Sequence, residues 1–178
     1  KTVCFWKCAM RQAEYIPMLL NNDNPVNVIY YTTSDGKTLS SKMSNIVENK
    51  YENGQGVITF SDAVTEIPGR AFYECSNLTS ITIPDGVTTI GNYAFRSCNS
   101  LSNITLPESL TSIGDSAFNI CSSLTNIYCK PTTPPTLGSN AYDNSPVAAI
   151  HVPQASVNAY KSASGWSMYA SKIVGYDF

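Results

Sequence analysis

The chain has 178 residues, a formal net charge of −2 and 13% charged side chains, which is about half of the roughly 25% that is usual in soluble domains. It carries no cluster of basic residues, and this excludes the electrostatic footprint of a protein that binds nucleic acid or an anionic membrane. No apolar run reaches the roughly 20 residues that a membrane-spanning helix requires.

The first 20 residues are dense in apolar side chains and are interrupted by Pro17. They start at Lys1 with no initiator Met and no recognisable signal peptide, so we expect a processed mature chain or a truncated one. We predict a short helix that packs on an N-terminal cap. Cys4 and Cys8 would share one face of that helix, a poor geometry for a disulfide, and they lack the partners that a zinc site needs.

Residues 25–60 carry the signals of antiparallel β-structure. The segment NVIYYTT, the turn at 34–36 (Ser-Asp-Gly) and the segment KTLS predict one hairpin. The segments NIVENKYE and GVITF, joined by Asn53-Gly54, predict a second hairpin that would lead directly into Ile58. These strands would cover the end of a repeat array, where apolar side chains and strand edges are otherwise exposed.

A period of 23 residues organises the middle of the chain, where isoleucines recur at 58, 81, 104, 127 and 150. Eight columns stay apolar or small through the three most regular rows. Rows of this kind stack, so that each buried side chain packs on its copy in the next row. The most conspicuous column predicts a ladder of rings through the core, formed by Phe72, Phe95 and Phe118.

Each row has the same internal plan. The pattern Leu-x-x-Ile-x-Ile predicts a strand, and the prolines at 84, 107 and 153 should end it because they cannot donate a ladder hydrogen bond. Gly91 and Gly114 are expected to turn the chain. The short segment NYAFRSC predicts a single 3₁₀ or α-helical turn on the convex side.

The run I-G-x-x-A-F-x-x-C-x-x-L-x-x-I-x-I-P, at 90–107 and with a lapse after Tyr128 at 113–130, resembles the BspA-type leucine-rich repeat. The resemblance covers residues 58–153 and, more loosely, their flanks. It implies a right-handed, β-rich leucine-rich-repeat solenoid (α/β by convention) with a parallel sheet. It also implies a secreted or surface-anchored protein that functions in adhesion or in binding host or matrix components, with no catalytic residues to carry over.

The C-terminal segment shows helical spacing of apolar residues around Gly165. We therefore predict three parts: an N-terminal cap of a short helix plus β-hairpins at 1–57, a solenoid of 23-residue rows at 58–153, and a helical C-terminal cap at 154–178. The residues that give the helical spacing are Val157, Tyr160 and Ala163, then Trp166, Tyr169 and Ile173.

The repeat assigns most of the reactive side chains to the core. Cys75, Cys98 and Cys121 share one column, and in-register parallel neighbours point their Cβ atoms the same way, which favours buried free thiols over disulfides. His151 is the single histidine, and no nucleophile elbow, phosphate-binding loop or dinucleotide fingerprint accompanies it. We therefore predict no catalytic residue, no metal site and no cofactor.

Two sets of exposed residues remain as candidates for binding. The acidic column could bind a cation, face a basic partner or simply hydrate a sheet edge. The strip on the concave face offers hydroxyls and amides, although threonine is also favoured in any exposed strand. Tyr128 interrupts the threonine column, which suggests a function. The acidic column is Asp62, Asp85 and Glu108; the strip is Thr82, Thr105, Tyr128 and His151, with Asn103 and Asn126 beside it.

These observations predict a non-catalytic interaction module, extracellular or on the cell surface by resemblance, and monomeric. Its partner would be a protein or a glycan bound through the concave face, with no nucleic acid and no membrane span. A structural spacer without a ligand of its own is the alternative.

Overall fold

The structure is a computed structural model that describes residues 27–178. The predicted helix at 1–20, together with Cys4 and Cys8, lies outside the described residues. The described chain contains twelve strands and one α-helix. The strands are β1 (Val28–Thr33), β2 (Ile46–Glu52), β3 (Gln55–Phe60), β4 (Glu66–Ile67), β5 (Leu78–Ile81), β6 (Thr89–Ile90), β7 (Asn103–Leu106), β8 (Ser112–Ile113), β9 (Asn126–Cys129), β10 (Thr136–Leu137), β11 (Ala149–Pro153) and β12 (Ile173–Tyr176); the helix is α1 (Val157–Ser162).

Two parallel sheets run along the repeat array. One has the order β12-β11-β9-β7 and the other, made of two-residue strands, has the order β10-β8-β6-β4. In the first sheet Ile104 lies opposite Ile127, which lies opposite Ile150. The 23-residue period is therefore the step from one row to the next, and the predicted stacking of rows in a parallel solenoid is confirmed.

The N-terminal strands depart from the predicted arrangement. β1 lies between β3 and β5 and pairs antiparallel with both, so that Ile29 lies opposite Ile58 and Tyr31 lies opposite Ile81. The prediction that the strand at Ile58 stacks directly on the strand at Ile81 was therefore wrong. The hairpin predicted between NVIYYTT and KTLS is also absent, because residues 37–40 form no strand.

Side chains on β1 explain why this strand is inserted. Ile29 and Tyr31 are buried, and the Tyr31 ring fills the space where a Cβ would stand on Gly56 of β3. The Tyr31 hydroxyl donates to Asn49 Oδ1 at 2.6 Å and accepts from the Leu39 N–H at 3.2 Å. A buried strand with its polar atoms satisfied in this way covers the apolar edge of the first rows.

The hairpin at Asn53-Gly54 is present. β2 and β3 pair antiparallel around this turn, and Asn53 and Gly54 both have left-handed φ angles, 51° and 84°. Two consecutive left-handed residues define the tight turn that matches the twist of a two-stranded ribbon, which is why Asn-Gly is its preferred sequence.

The segment NYAFRSC, for which we predicted a single 3₁₀ or α-helical turn, does not form a helix. Residues 92–97 form consecutive turns, in which Tyr93 and Ser97 have left-handed φ angles of 61° and 63°. The Phe95 N–H donates to the Ala117 carbonyl of the next row at 2.8 Å. Left-handed residues stop the chain from continuing as a helix and turn alternate N–H groups toward the neighbouring row.

Gly91 and Gly114, which we expected to turn the chain, are instead needed for close packing between rows. Gly91 and Gly114 do not have left-handed φ angles, so conformational freedom is not the reason for them. A Cβ on Gly114 would lie 2.6 Å from the Asn92 backbone nitrogen in the preceding row. Glycine is therefore needed because successive rows approach closely at this point.

The core contains the predicted ladder of rings, with one more member. Phe72 stacks on Phe95 with centroids 5.2 Å apart, Phe95 on Phe118 at 5.1 Å, and Phe118 on Tyr142 at 5.5 Å. Tyr142 was not predicted because the chain gains one residue between Cys129 and Thr136: Cys129 still pairs 23 residues from Leu106, whereas Thr136 pairs with Ser112, one position beyond the regular period.

The C-terminal segment is only partly helical. α1 is flanked by 3₁₀ segments at Gln154–Ser156 and Ser167–Lys172. Trp166 is fully buried and donates from Nε1 to the Pro135 carbonyl at 2.7 Å. Ile173, which we predicted in a helix, begins β12, and Ile150 lies opposite it in parallel register. The boundaries of the three predicted parts of the chain stay predictions.

Candidate functional site

The exposed face of the β7-β9-β11-β12 sheet carries Thr105, Tyr128 and His151 of the predicted strip, and Thr82, which follows β5, joins them through a single parallel bridge. Thr82 lies opposite Thr105, Thr105 opposite Tyr128, and Tyr128 opposite His151. In β7 the burial alternates, with Ile104 and Leu106 buried and Thr105 exposed, as expected for a sheet with one solvated face. The four residues thus form one in-register row, which we call the polar strip. Thr59 does not extend it, because β1 separates β3 from β5.

Asn103 and Asn126 form a second in-register pair two positions earlier on β7 and β9. The Asn126 amide donates to Thr125 Oγ1 at 3.2 Å, and its Oδ1 lies 3.1 Å from His151 Nε2. Since an amide oxygen can only accept, this contact is a hydrogen bond in the tautomer that carries the imidazole proton on Nε2. Asn126 therefore fixes the orientation of the His151 ring, whereas Asn103 stays exposed to solvent.

Tyr128 and His151 belong to an aromatic cluster at the C-terminal end of the strip. Their rings stack with centroids 4.4 Å apart and an interplanar angle of 10°. Tyr176 packs edge-on against both, at 5.4 Å from Tyr128 and 5.3 Å from His151, and Phe178 contacts Tyr176 at 5.0 Å. Tyr176 and Phe178 are 42% and 51% exposed. We call these four residues the aromatic cluster.

Tyr176 and Phe178 were not predicted in this cluster, because the helical spacing of the residues before them predicts a helical cap. The signal that could have found them is the period itself, since Ile173 lies one more 23-residue step after Ile150. That step places a strand at 173–176 and brings Tyr176 to the same sheet as Tyr128.

An open depression lies beside the aromatic cluster, with a volume of about 400 Å³. Two of its lining residues, Lys130 and Asp177, are exposed and carry opposite charges. The depression is therefore lined by aromatic rings, three hydroxyl-bearing side chains and one charge of each sign. Its lining residues are Thr105, Tyr128, Lys130, Tyr176, Asp177 and Phe178.

The acidic column gives no support for a cation site. Asp62, Asp85 and Glu108 are all exposed, and Asp62 accepts a hydrogen bond from the Ser61 hydroxyl at 2.8 Å. Across residues 27–178, no group of three or more His, Cys, Asp or Glu side chains is arranged to hold a metal ion. The cation-binding interpretation of this column is therefore not supported, and hydration or a basic partner remain as its possible roles.

The cysteines of the repeat are buried free thiols of low reactivity. Cys75, Cys98, Cys121 and Cys129 are free and buried, and Cys98 and Cys121 donate to the Phe72 and Phe95 carbonyls of the preceding rows. Burial raises the pKa of the Cys75 thiol to about 11 and that of Cys129 to about 12. A thiol that stays protonated at neutral pH is a poor nucleophile and metal ligand.

The parallel sheets, the 23-residue rows and the exposed strand face define a leucine-rich-repeat solenoid. Residues 38–164 match the family described as BspA type Leucine rich repeat region, in six copies. The chain belongs to the BspA-type leucine-rich-repeat family. This membership indicates a protein-interaction or surface module in a family that is generally non-catalytic and typically secreted or surface-exposed.

Among solved structures, the chain is similar to a leucine-rich repeat protein from Bacteroides ovatus. The identity is 29%, the TM-score is 0.47, and the match covers 64% of this chain and 28% of that protein. The chain thus spans little more than a quarter of that relative's length. No curated protein matches the chain. Within residues 27–178, no helix has the length and apolar character needed to cross a bilayer.

Proposed function

We propose that this chain is a non-catalytic interaction module, secreted or exposed on a cell surface, which binds a protein or glycan ligand through the exposed face of the β7-β9-β11-β12 sheet. The aromatic cluster is the observation that carries the proposal. Tyr128 and His151 are held in a stack on a rigid sheet, and Tyr176 closes against their edges.

The position of these aromatic rings supports this assignment. Tyr128 and His151 are half-buried on the solvent-facing side of the sheet, and their rings are not needed for the core, which the opposite face of the same sheet already provides. Tyrosine is enriched in binding hot spots because it offers a large surface at little cost in conformational entropy. Asn126 further restricts the His151 ring, so that binding would lose little additional side-chain entropy.

The hydroxyls and amides beside the cluster extend the proposed surface. Thr82, Thr105 and Asn103 are exposed. Asn103 and Thr105 both lie on β7, and Thr82 lies opposite Thr105 through a parallel bridge, at the spacing of about 4.8 Å that is usual between neighbouring strands. A rigid row of donors and acceptors orients a ligand that the rings hold by contact area. The acidic column is left outside the proposed site.

Binding arrays test this proposal. The chain is applied to a glycan array and to an array of extracellular matrix proteins, together with the double variant Tyr128→Ala plus His151→Ala. We expect binding to at least one class of probe that the double variant loses. Tyr73→Ala, which removes a half-buried tyrosine from outside the polar strip, is the matched control and should bind like the parent.

A spacer without a ligand would give the opposite result. If the parent chain binds no probe, or if the double variant binds as well as the parent, the proposed surface is wrong. Circular dichroism of each variant distinguishes loss of binding from loss of fold.

A further inference from the structure

We infer that the ligand of the depression beside Tyr128 is a neutral oligosaccharide, with the apolar face of one sugar ring stacked on the free face of the Tyr128 ring. This inference rests on the function proposed above and names the ligand class for the same surface. It depends on three observations: which face of the ring is open, what surrounds it, and how the charges are distributed.

The two faces of the Tyr128 ring have different neighbours. One face stacks on His151 in the following row, nearly parallel at 10°. The opposite face is turned toward the preceding row, where the in-register residue is Thr105. A threonine cannot cover a phenol ring. The depression is located on this side, because Thr105 lines it and His151 does not.

Tyr176 and Phe178 bound one side of the depression beside the free face of Tyr128, and we call this part of the depression the slot. Tyr176 packs against the edges of the stacked pair, at 71° to the Tyr128 ring, and Phe178 continues this wall. A sugar ring that stacks on the free face of Tyr128 would also contact this wall at its edge. Stacking of this kind pairs the face of the aromatic ring with the axial C–H groups on one face of a pyranose.

The polar side chains in and beyond the slot suit a ligand rich in hydroxyls. Thr105 lines the slot, Thr82 and Asn103 are exposed beyond it, and each of these side chains can both donate and accept a hydrogen bond. A sugar hydroxyl also donates and accepts, so the two surfaces are complementary at each position. By contrast, the buried centre of a protein interface is depleted of such short polar side chains and is more apolar.

The charges favour a neutral sugar over a sulfated or acidic one. The slot has one lysine and one aspartate at its rim, Lys130 and Asp177, and the polar strip itself carries no acidic or basic residue apart from the single histidine. Binding of a polyanion requires several cations that converge on the ligand. With one charge of each sign, the site has no such excess.

Titration calorimetry and NMR test the inference with defined probes. The neutral probes are cellohexaose, laminarihexaose, mannohexaose and maltohexaose, and the acidic comparators are a hyaluronan hexasaccharide and a heparin hexasaccharide. Because the chain has one histidine, the imidazole resonances are assigned to His151 without further work. We expect at least one neutral hexasaccharide to bind and to shift the His151 resonances, and both acidic comparators to bind more weakly.

Two substitutions at one position separate the ring face from the hydroxyl. Tyr128→Thr restores the residue of the two preceding rows and should weaken binding of the neutral hexasaccharide by about tenfold or more, as expected for loss of a stacked ring. Tyr128→Phe keeps the face and should bind within about threefold of the parent. Tyr73→Ala is again the control and should bind like the parent.

The possible results distinguish this inference from the proposed function. If no neutral or acidic sugar binds, while a matrix protein on the array binds through Tyr128, the sugar inference is overturned and the proposed function stands. Stronger binding of the acidic comparators also overturns it. If a sugar binds but Tyr128→Thr leaves its affinity unchanged, the slot is not the site. If nothing binds to the parent chain, both proposals fail.

Discussion

Removal of the Phe95 ring is the most direct test of how the repeat is held together. The ring is fully buried and lies between two others, with centroids 5.2 Å from Phe72 and 5.1 Å from Phe118. A core phenylalanine replaced by alanine costs about 3–5 kcal/mol of unfolding free energy, from lost transfer and from the cavity that remains. Both neighbours here are stacked rings, and a ring pair is worth about 0.5–1.5 kcal/mol beyond its burial. We therefore expect Phe95→Ala to lie at the upper end of that range.

Equilibrium urea denaturation, followed by circular dichroism in reducing buffer, measures this cost. Phe72→Ala is the matched control, since within residues 27–178 Phe72 stacks on one ring only, and it should cost about 0.5–1.5 kcal/mol less. The melting temperature of Phe95→Ala should fall on the order of 10 °C, from about 2–4 °C for each kcal/mol in a chain of this size. A loss below about 1 kcal/mol for Phe95→Ala, or equal losses for the two variants, would show that the ladder is not the core element described here.

Two further predictions concern the spacing of the rows and the buried thiols. Gly114→Ala places a Cβ 2.6 Å from the Asn92 nitrogen and should lower the free energy of unfolding in urea by about 1–3 kcal/mol. Gly69→Ala is the control and should cost less, because its Cβ would lie 3.2 Å from the nearest atom, the Asn92 carbonyl oxygen. Equal costs for the two variants would contradict the close approach of the rows at Gly114. Burial raises the pKa of Cys75 to about 11 and of Cys129 to about 12, above the ordinary value of 9.0. The unfolded thiols therefore lose their protons first, so the free energy of unfolding should be constant below about pH 8 and fall as the pH rises past 9. A urea midpoint that does not change between pH 7 and 10 would contradict the burial of these thiols.

The period of the sequence predicted the repeat region well because one physical constraint acts in every row. Each row buries the same column of side chains, so columns such as Phe72, Phe95 and Phe118 repeat in the sequence and stack in the structure. The polar strip followed from the same register, since a strand with one buried face exposes every second residue. The hydrogen-bonded turns at 92–97 could not be predicted in this way, because their left-handed residues are Tyr93 and Ser97 and not glycines.

The features that escaped prediction are those in which a segment leaves its sequence neighbourhood. β1 pairs with β5, nearly 50 residues further along the chain, and no local pattern distinguishes this from a hairpin with the adjacent KTLS. The energetic difference comes from the Tyr31 ring, which packs on Gly56 and completes its hydrogen bonds with Asn49. Contacts of this kind depend on tertiary packing, which overrides local β-propensity.

The same reasoning explains why the aromatic cluster was only half predicted. Tyr128 and His151 lie on β9 and β11, which keep the 23-residue period, so the period was enough to place them side by side. Tyr176 reaches them only because the chain, after α1 and the 3₁₀ segments, returns to the sheet as β12 with Ile173 opposite Ile150. The helical spacing of the residues before it masked a strand that obeys the 23-residue period. A strand added after the last regular row covers its apolar edge and, at the same time, supplies the ring that closes the proposed binding slot. The end of the repeat array is therefore where the needs of stability and the proposed binding function coincide.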